Sequence, residues 1–341
     1  MKKILVTGGS GFIGTNLVNF LLSKKYIVHN IDKFSNVSTP EKFKININKK
    51  NYNFKKIDLI KYNQVLKIIS NFKPNFIINL AAESHVDRSI DTPINFIKNN
   101  INSSLHLLEI TRKLLKKQQI KFIHVSTDEV YGSINYSSSL EKDQYNPRSP
   151  YSSSKASTDH IAMSYYYTYN LPLSLVNICN NYGPYQFIEK FIPNTINNLL
   201  LNRKIPIYGN GKNIREWIFV EDCCEAIFNV LSNFNSGKKY NIGSGIRSSN
   251  INIVKYIIEI FNEDKKYNIN FNDVVEFVKD RPGHDFRYAI NSNLFRKEMK
   301  WKSKTSLKEG LRKTIKWYIN NKEWLKHSRN QFKGKRQGLS D

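Results

Sequence analysis

Cysteine is scarce: the 341 residues hold three, Cys179, Cys223 and Cys224. They are too few and too badly spaced for a disulfide framework or a zinc site, so burial alone must hold the fold, and free thiols fit a reducing cytoplasm. Long apolar runs are missing too. No stretch approaches the roughly 18 apolar residues that a membrane span requires. The opening MKKILVTGGSGFIG is broken by glycines before it reaches the length of a signal-peptide core. Acids are in short supply, 28 Asp and Glu against 53 Lys and Arg, for a net charge of +25. Such an excess would favour phosphate-rich partners if it were clustered. Lys, Asn and Ile are instead overused in loops and helices alike, so the charge is compositional and nucleic acid is not an expected partner. A thin basic cluster, Lys333-Gly334-Lys335-Arg336, falls in the tail, residues 331–341. Against this scarcity the segment HVSTDEVYG, His124 to Gly132, sets two acids side by side where an apolar strand runs out.

The length allows one large core or two domains. In the first half KKILVTG, YIVHNID, NFIINLAA and KFIHVST read as buried strands, β-branched and without polar alternation. Segments with helical spacing lie between them, from Thr15 to Ser23, Asn63 to Phe72 and Pro93 to Leu115. This alternation predicts an α/β fold with a doubly wound parallel sheet, whose ligands sit at the carboxyl ends of the strands. After LPLSLVNICNNYGPYQ, near Gly183, the alternation becomes less regular and polar loops lengthen. A smaller α/β region, interleaved with the first, is expected there.

VTGGSGFIGTNLV places Gly8, Gly11 and Gly14 directly after the first strand and at the start of a helix. Glycine lets the chain turn tightly and lets a pyrophosphate approach the N–H groups of the helix N-terminus. YIVHNID ends with Asp32, at the spacing of the acid that binds a ribose 2′-hydroxyl; a carboxylate there repels a 2′-phosphate, so NAD is preferred to NADP. PYSSSKASTDH carries Tyr151 and Lys155 on one helix face. An ammonium beside a phenol lowers the phenol pKa from about 10 toward neutrality, which makes a base. His85, His106, His124 and His160 show no metal-ligand spacing, and no metal is expected.

Taken together, TGGSGFIG, NLAA (Asn79 to Ala82), STDEVYG and Tyr151-x-x-x-Lys155 resemble the extended short-chain dehydrogenase/reductase family, which works on nucleotide sugars. Within it the chain looks most like the 4,6-dehydratases that act on dTDP-glucose, through AAESHVDRSI, PYSSSKASTDH, NNYGPYQF followed by Glu189-Lys190, and DRPGHDFRYAI. The resemblance covers nearly the whole chain. It implies a Rossmann-type NAD domain over 1–178, rejoined by about 215–242, and a nucleotide-sugar region over 179–330. It also implies a homodimer formed through the helices starting near Pro93 and Tyr151.

The resemblance carries site roles as well. Glu129 would be the base at C5 of the hexose, Asp128 the acid at C6, and Thr127 a hydrogen-bond partner of the C4 oxygen, with Tyr151 and Lys155 removing the O4 proton. An epimerase of the family needs no acids at 128 and 129, whereas dehydration needs both a base and an acid. For Asp128 to hold a proton near neutrality its pKa must be raised, by desolvation and the neighbouring carboxylate. Cofactor contacts would come from Gly8, Gly11, Phe12, Ile13, Gly14, Asp32, Lys33, Asp58, Leu59, Ala81, Ala82, Tyr151, Lys155 and Asn181. Asn99 would join them, at a position where family members often carry a small hydroxyl residue. On the substrate side Ser84 and Thr127 would face the sugar and Asn180 the diphosphate. Lys190, Phe191 and Asn250 would face the nucleotide, Pro206 and Tyr208 the base, and Arg215, Arg281 and His284 the phosphates. The polar loop between Tyr131 and Pro150 suits a mobile flap. The rival readings are a UDP- or GDP-sugar enzyme of the same family, and a non-catalytic NAD- or RNA-binding protein on the same fold. Salt-dependent retention on RNA compared with turnover separates the second from an enzyme.

Overall fold

The computed structural model describes residues 1–43 and 50–332, so the basic cluster of the tail lies outside the described residues. The first half runs β1 (Lys3–Thr7), α1 (Phe12–Ser23), β2 (Ile27–Asp32), β3 (Tyr52–Lys56), α2 (Tyr62–Phe72), β4 (Phe76–Asn79), α3 (Val86–Asp91), α4 (Pro93–Leu114), β5 (Lys121–Thr127), α5 (Pro150–Tyr169) and β6 (Leu173–Ile178). The second half continues with β7 (Asn180–Tyr182), α6 (Phe191–Leu200), β8 (Ile205–Tyr208), β9 (Ile214–Phe219), α7 (Val220–Ser232), β10 (Lys239–Ile242), β11 (Arg247–Ser249) and α8 (Asn250–Asn262). It closes with α9 (Phe271–Val274), β12 (Val275–Val278), α10 (Asn293–Met299), α11 (Leu307–Asn320) and α12 (Lys322–Gln331).

Seven strands form the large sheet in the order β10-β6-β5-β4-β1-β2-β3, every neighbouring pair parallel. The strands are apolar on both faces because both faces are covered. Ile4 and Val6 pack with Phe76, Ile78, Ile123 and Val125 in one core, against α1 and α7. Leu5, Ile77 and Phe122 turn the other way into a second core, against α2, α4 and α5. The two-residue strand period thus sorts consecutive residues into opposite layers. The strand order reverses between β1 and β4, which opens the crevice where a ligand binds in such sheets.

The second region has its own core, in which Ile192, Ile196, Ile257, Leu311, Tyr318 and Trp324 are buried. A three-stranded sheet, β11-β9-β7, and a two-stranded one, β12-β8, support it. The interleaving is specific. Of the segment 215–242, β9 pairs with β7 and β11, while β10 joins the large sheet beside β6 and α7 covers that sheet. Ile290, Phe295, Met299 and Trp301 also pack on the large-sheet core. All three cysteines are buried. No helix among the described residues is long and apolar enough to cross a membrane.

Candidate active site

The glycine-rich turn is built as its spacing predicts. Gly8 takes a φ of +72°, and a Cβ placed on it would lie 2.8 Å from the Ala81 backbone. Gly11 is the N-cap of α1 and supplies no side-chain cap, which leaves first-turn N–H groups for an anion. At the end of β2, Asp32 accepts from the backbone N–H groups of Ser10 at 3.0 Å and Phe34 at 2.7 Å. It also accepts from the Ser38 hydroxyl at 3.4 Å, and the carboxylate is thereby fixed on the first cavity. The donor set therefore fits NAD: an uncapped helix start for a pyrophosphate and a fixed carboxylate for a ribose.

Every residue expected at the cofactor lines this first cavity except Asn181. Asn181 faces the second cavity instead, because β7 pairs with β9 and its side-chain amide folds back onto the Cys179 carbonyl at 2.9 Å. Lys33 is drawn into an ion pair with Glu83. Ser84, expected at the sugar, lies on the first cavity, and its carbonyl accepts from Lys190 Nζ at 2.7 Å.

The second cavity, about 790 Å³, is lined by Asn180, Lys190, Phe191, Pro206, Tyr208, Arg215, Asn250, Arg281 and His284, all expected on the substrate side. Arg215 does not pair with Glu216 or Asp222. Its guanidinium donates to the carbonyls of Ile214 and Asp285, at 2.8 and 2.9 Å, and lies 4.4 Å from the Tyr288 ring centroid. Arg281 is held by Asp87 Oδ1 at 2.6 Å, and Asp87 Oδ2 also accepts from Tyr208 at 3.1 Å. Burial and the Arg281 charge push the His284 imidazole down to about 4, so it is neutral beside Asp280.

Where the cavities meet, His85, Gln186, Glu189 and Lys190 line both. Glu189 pairs with Arg88 from 101 residues away. Arg88 and Gln186 had no assigned place in the sequence, and no local pattern signals such a long-range pairing.

The acidic pair sits at the top of β5. Thr127 ends the strand and its hydroxyl accepts from the Glu129 N–H at 3.3 Å, capping a short 3₁₀ turn over Asp128–Tyr131. Gly132 closes the turn at φ +72°, where a Cβ would fall 2.1 Å from the Asn146 carbonyl. Thr127 and Asp128 are buried and line neither cavity, whereas Glu129 lines the second. Asp128 Oδ2 and Glu129 Oε2 are buried without a protein hydrogen-bond partner. Native proteins rarely leave such atoms orphaned unless a ligand or water meets them.

Their environments separate the two acids. Burial, then Glu129 and Glu216, hold Asp128 well above the ordinary carboxylate range. Burial also raises Glu129, but Arg281, Arg215 and Lys190 pull it back. One acid is thus set up to carry a proton and the other to accept one. The raised Asp128 has a stability consequence. It favours the fold below the unfolded value near 4, and that contribution is lost as pH rises through the raised folded value. Asp128→Asn should therefore raise the melting temperature near about pH 7 and leave it unchanged near about pH 3. An equal change at both pH values in thermal melts would contradict the assignment.

α5 opens with Pro150 in its first turn and a reciprocal Ser149/Ser152 capping box, which fixes the placement of Tyr151 and Lys155. The Tyr151 N–H donates to Ser89 Oγ at 3.2 Å. One expectation needs correction. The phenol is raised, by burial first and then by Glu129, with the Thr127 hydroxyl pulling it down. Lys155 does not offset this, because its Nζ turns away to the Val125 carbonyl at 2.9 Å. The site's own acids outweigh the lysine.

The profile of the family described as GDP-mannose 4,6 dehydratase matches residues 5–314. A probable dTDP-glucose 4,6-dehydratase of Sinorhizobium fredii is 40% identical over 345 residues, covering 99% of both chains. The crystal structure of dTDP-glucose 4,6-dehydratase from Bacillus anthracis in complex with NAD superposes with a TM-score of 0.86 at 39% identity, over 96% of this chain and 100% of that one. The dTDP-glucose 4,6-dehydratase of Streptomyces venezuelae, with NAD and a dTDP ligand bound, gives a TM-score of 0.87 at 34% identity, over 94% and 98%. Identity of this extent over nearly the whole chain makes it a member of the NAD-dependent nucleotide-sugar 4,6-dehydratase family.

Proposed function

We infer that the protein is a dTDP-glucose 4,6-dehydratase, a lyase that converts dTDP-glucose to dTDP-4-keto-6-deoxyglucose and water. The observation that carries this reading is the pair of orphaned carboxyl oxygens, Asp128 Oδ2 and Glu129 Oε2, in environments that hold one acid protonated more strongly than the other. NAD⁺, when bound along the first cavity, supplies the hydride acceptor for C4 and the donor for C6.

The chain's residues move the protons. Tyr151 takes the O4 proton as C4 is oxidised; it must be ionised to do so, against the burial and the Glu129 charge that raise its phenol. The resulting ketone acidifies C5–H, and Glu129 removes that proton. Asp128 protonates the departing C6 hydroxyl, which leaves as water, and Glu129 returns a proton to C5 as C6 is reduced. Over one turnover Tyr151 gains a proton and Asp128 loses one. The site is reset by moving one proton from the first to the second. The Thr127 hydroxyl donates to Asp128 Oδ1 at 3.3 Å and also acts on the Tyr151 phenol, pulling it down, so it is the group placed to pass that proton on. On the substrate side Lys190, Arg215 and Arg281 supply the positive charge that a diphosphate needs.

The test is mass spectrometry of dTDP-glucose incubated with the protein in deuterated water. The expected product is lighter by one water and deuterated at C5. Unchanged dTDP-glucose, with turnover of a GDP- or UDP-sugar, would favour the second reading, for which the family profile's own description speaks. The division into an NAD half over 1–178, rejoined by α7 and β10, and a sugar-nucleotide half over 179–330 is part of the proposal. So are a cytoplasmic location and a homodimer. Ile94 on α4 and Tyr167 on α5, 66% and 73% exposed, are apolar surface on the two helices that a partner would cover.

A further inference from the structure

Three acids line the second cavity: Asp87, Glu129 and Glu189. A cavity that takes a diphosphate gains nothing from a carboxylate as such, since like charges repel. Glu129 is read as the base, and Glu189 is paired with Arg88. Asp87, from the AAESHVDRSI stretch, has no place yet in the reaction.

Its surroundings give it one. Asp87 lies in the first turn of α3, in the NAD half, and is 7% exposed. α3 is itself anchored to α5, where the Tyr151 N–H donates at 3.2 Å to Oγ of the fully buried Ser89. From this fixed helix Asp87 reaches across to the nucleotide half with both oxygens. Oδ1 accepts from Arg281 Nη1 at 2.6 Å and Oδ2 from the Tyr208 hydroxyl at 3.1 Å.

The groups it holds need such a support. Tyr208 ends β8 and pairs in register with Val278, the last residue of β12, and Arg281 follows shortly after. These two strands make a sheet of their own, and a two-stranded sheet is marginal by itself. Tyr208, Arg281 and His284 gather at its carboxyl end, with the Tyr208 ring edge-on to His284 at 6.4 Å between centroids. One carboxylate thus ties both the tyrosine and the guanidinium to the body of the NAD half.

We propose that Asp87 is a positioning residue for the nucleotide end of the substrate: its two oxygens lock Arg281 and Tyr208 into one array, so that a nucleoside diphosphate meets both already in place. The proposal rests on the reading of the second cavity as the nucleotide-sugar site. Asp87 acts through Arg281 and Tyr208 and touches no reacting atom.

The test is calorimetric titration of the NAD-loaded protein with dTDP, beside steady-state kinetics with dTDP-glucose. Asp87→Ala should weaken dTDP by about tenfold or more, because the ligand must then order a loose guanidinium and phenol itself. KM for dTDP-glucose should rise by a similar factor, with kcat within a few-fold of the parent. Asp87→Asn keeps an oxygen that can accept from Arg281 and should fall between the two. In a Tyr208→Phe, Arg281→Ala background, Asp87→Ala should weaken dTDP no further, since nothing is left for it to position. If the alanine variant does not fold, Asp87→Asn and Tyr208→Phe decide the matter, since each must raise KM ahead of any loss in kcat. A fall in kcat at unchanged KM would make Asp87 a part of the fold only and overturn the proposal. Tighter dTDP binding by both Asp87 variants would overturn it too, because the carboxylate would then only screen Arg281. A parent protein that binds no dTDP would sink the reading of the cavity, and this proposal with it.

Discussion

Replacing Glu129 by Gln stops the reaction after oxidation. The sugar recovered on quenching is the 4-ketone, still carrying its C6 hydroxyl and its original C5 hydrogen, and dehydration falls by about 10²–10⁴-fold, the usual worth of a positioned base. The amide keeps the shape of the side chain and its place on the second cavity. It cannot take a proton from C5. Because burial raises Glu129, the parent enzyme should also lose dehydration as pH falls through that raised value, since the base is then protonated. Asp128→Asn should behave differently. It leaves C5 exchange with solvent intact while C6–O cleavage slows, because the base is present and the acid is not. Deuterium at C5 without loss of water is the signature to look for. A Glu129→Gln variant that exchanged C5 hydrogen at the parental rate would show the base to be elsewhere.

Gly14→Ala should abolish cofactor retention. A Cβ at residue 14 would lie 2.1 Å from the Gly8 carbonyl oxygen and 2.7 Å from Gly9 Cα, both main-chain atoms. Neither can swing aside as a side chain would, so α1 must back away from the turn. Overpacking of this kind costs about 1–3 kcal/mol. The same shift carries the first-turn N–H groups off the pyrophosphate, and misplacement by about 1 Å is enough for a 10²-fold loss. Gly11→Ala is the internal comparison, since its added Cβ would meet nothing nearer than the Gly8 oxygen at 3.3 Å. Calorimetric titration with NAD, together with thermal melts, should rank the parent first, Gly11→Ala next and Gly14→Ala far below. Equal affinities for all three would mean that the helix start does not hold the pyrophosphate.

The sequence made the NAD half legible because its signals are local. Strand period, the glycine turn and Asp32 lie within one chain segment, and β1, β2, β4 and β5 follow the apolar runs read from it, whereas β3, YNFKK, has no such run and β6 was not among those read. The acidic turn was legible for the same reason: Thr127, Asp128 and Glu129 are consecutive, and the turn's cap and its chemistry use the same residues. What stayed hidden depends on long-range closure. Asn181, expected at the cofactor, lines the second cavity, because its direction follows from the pairing of β7 with β9. Arg281 was read as a phosphate clamp, but its hold by Asp87, 194 residues away, was not. The lowering of Tyr151 by Lys155 was a rule for two isolated groups; in the folded site the carboxylates and burial decide the direction.

The return of β10 to the large sheet binds the two halves into a single folding unit. A chain cut after residue 178 would leave β6 as a bare edge strand, its LSLVNI residues all buried in the intact protein and its outward backbone groups unpaired. Such an edge is a template for pairing with other chains. The nucleotide half cannot be trimmed away to leave a minimal cofactor-binding module. A nascent chain carries the same exposed edge until residue 242 has left the ribosome, so this enzyme is more exposed to aggregation while it is being made than once it is folded.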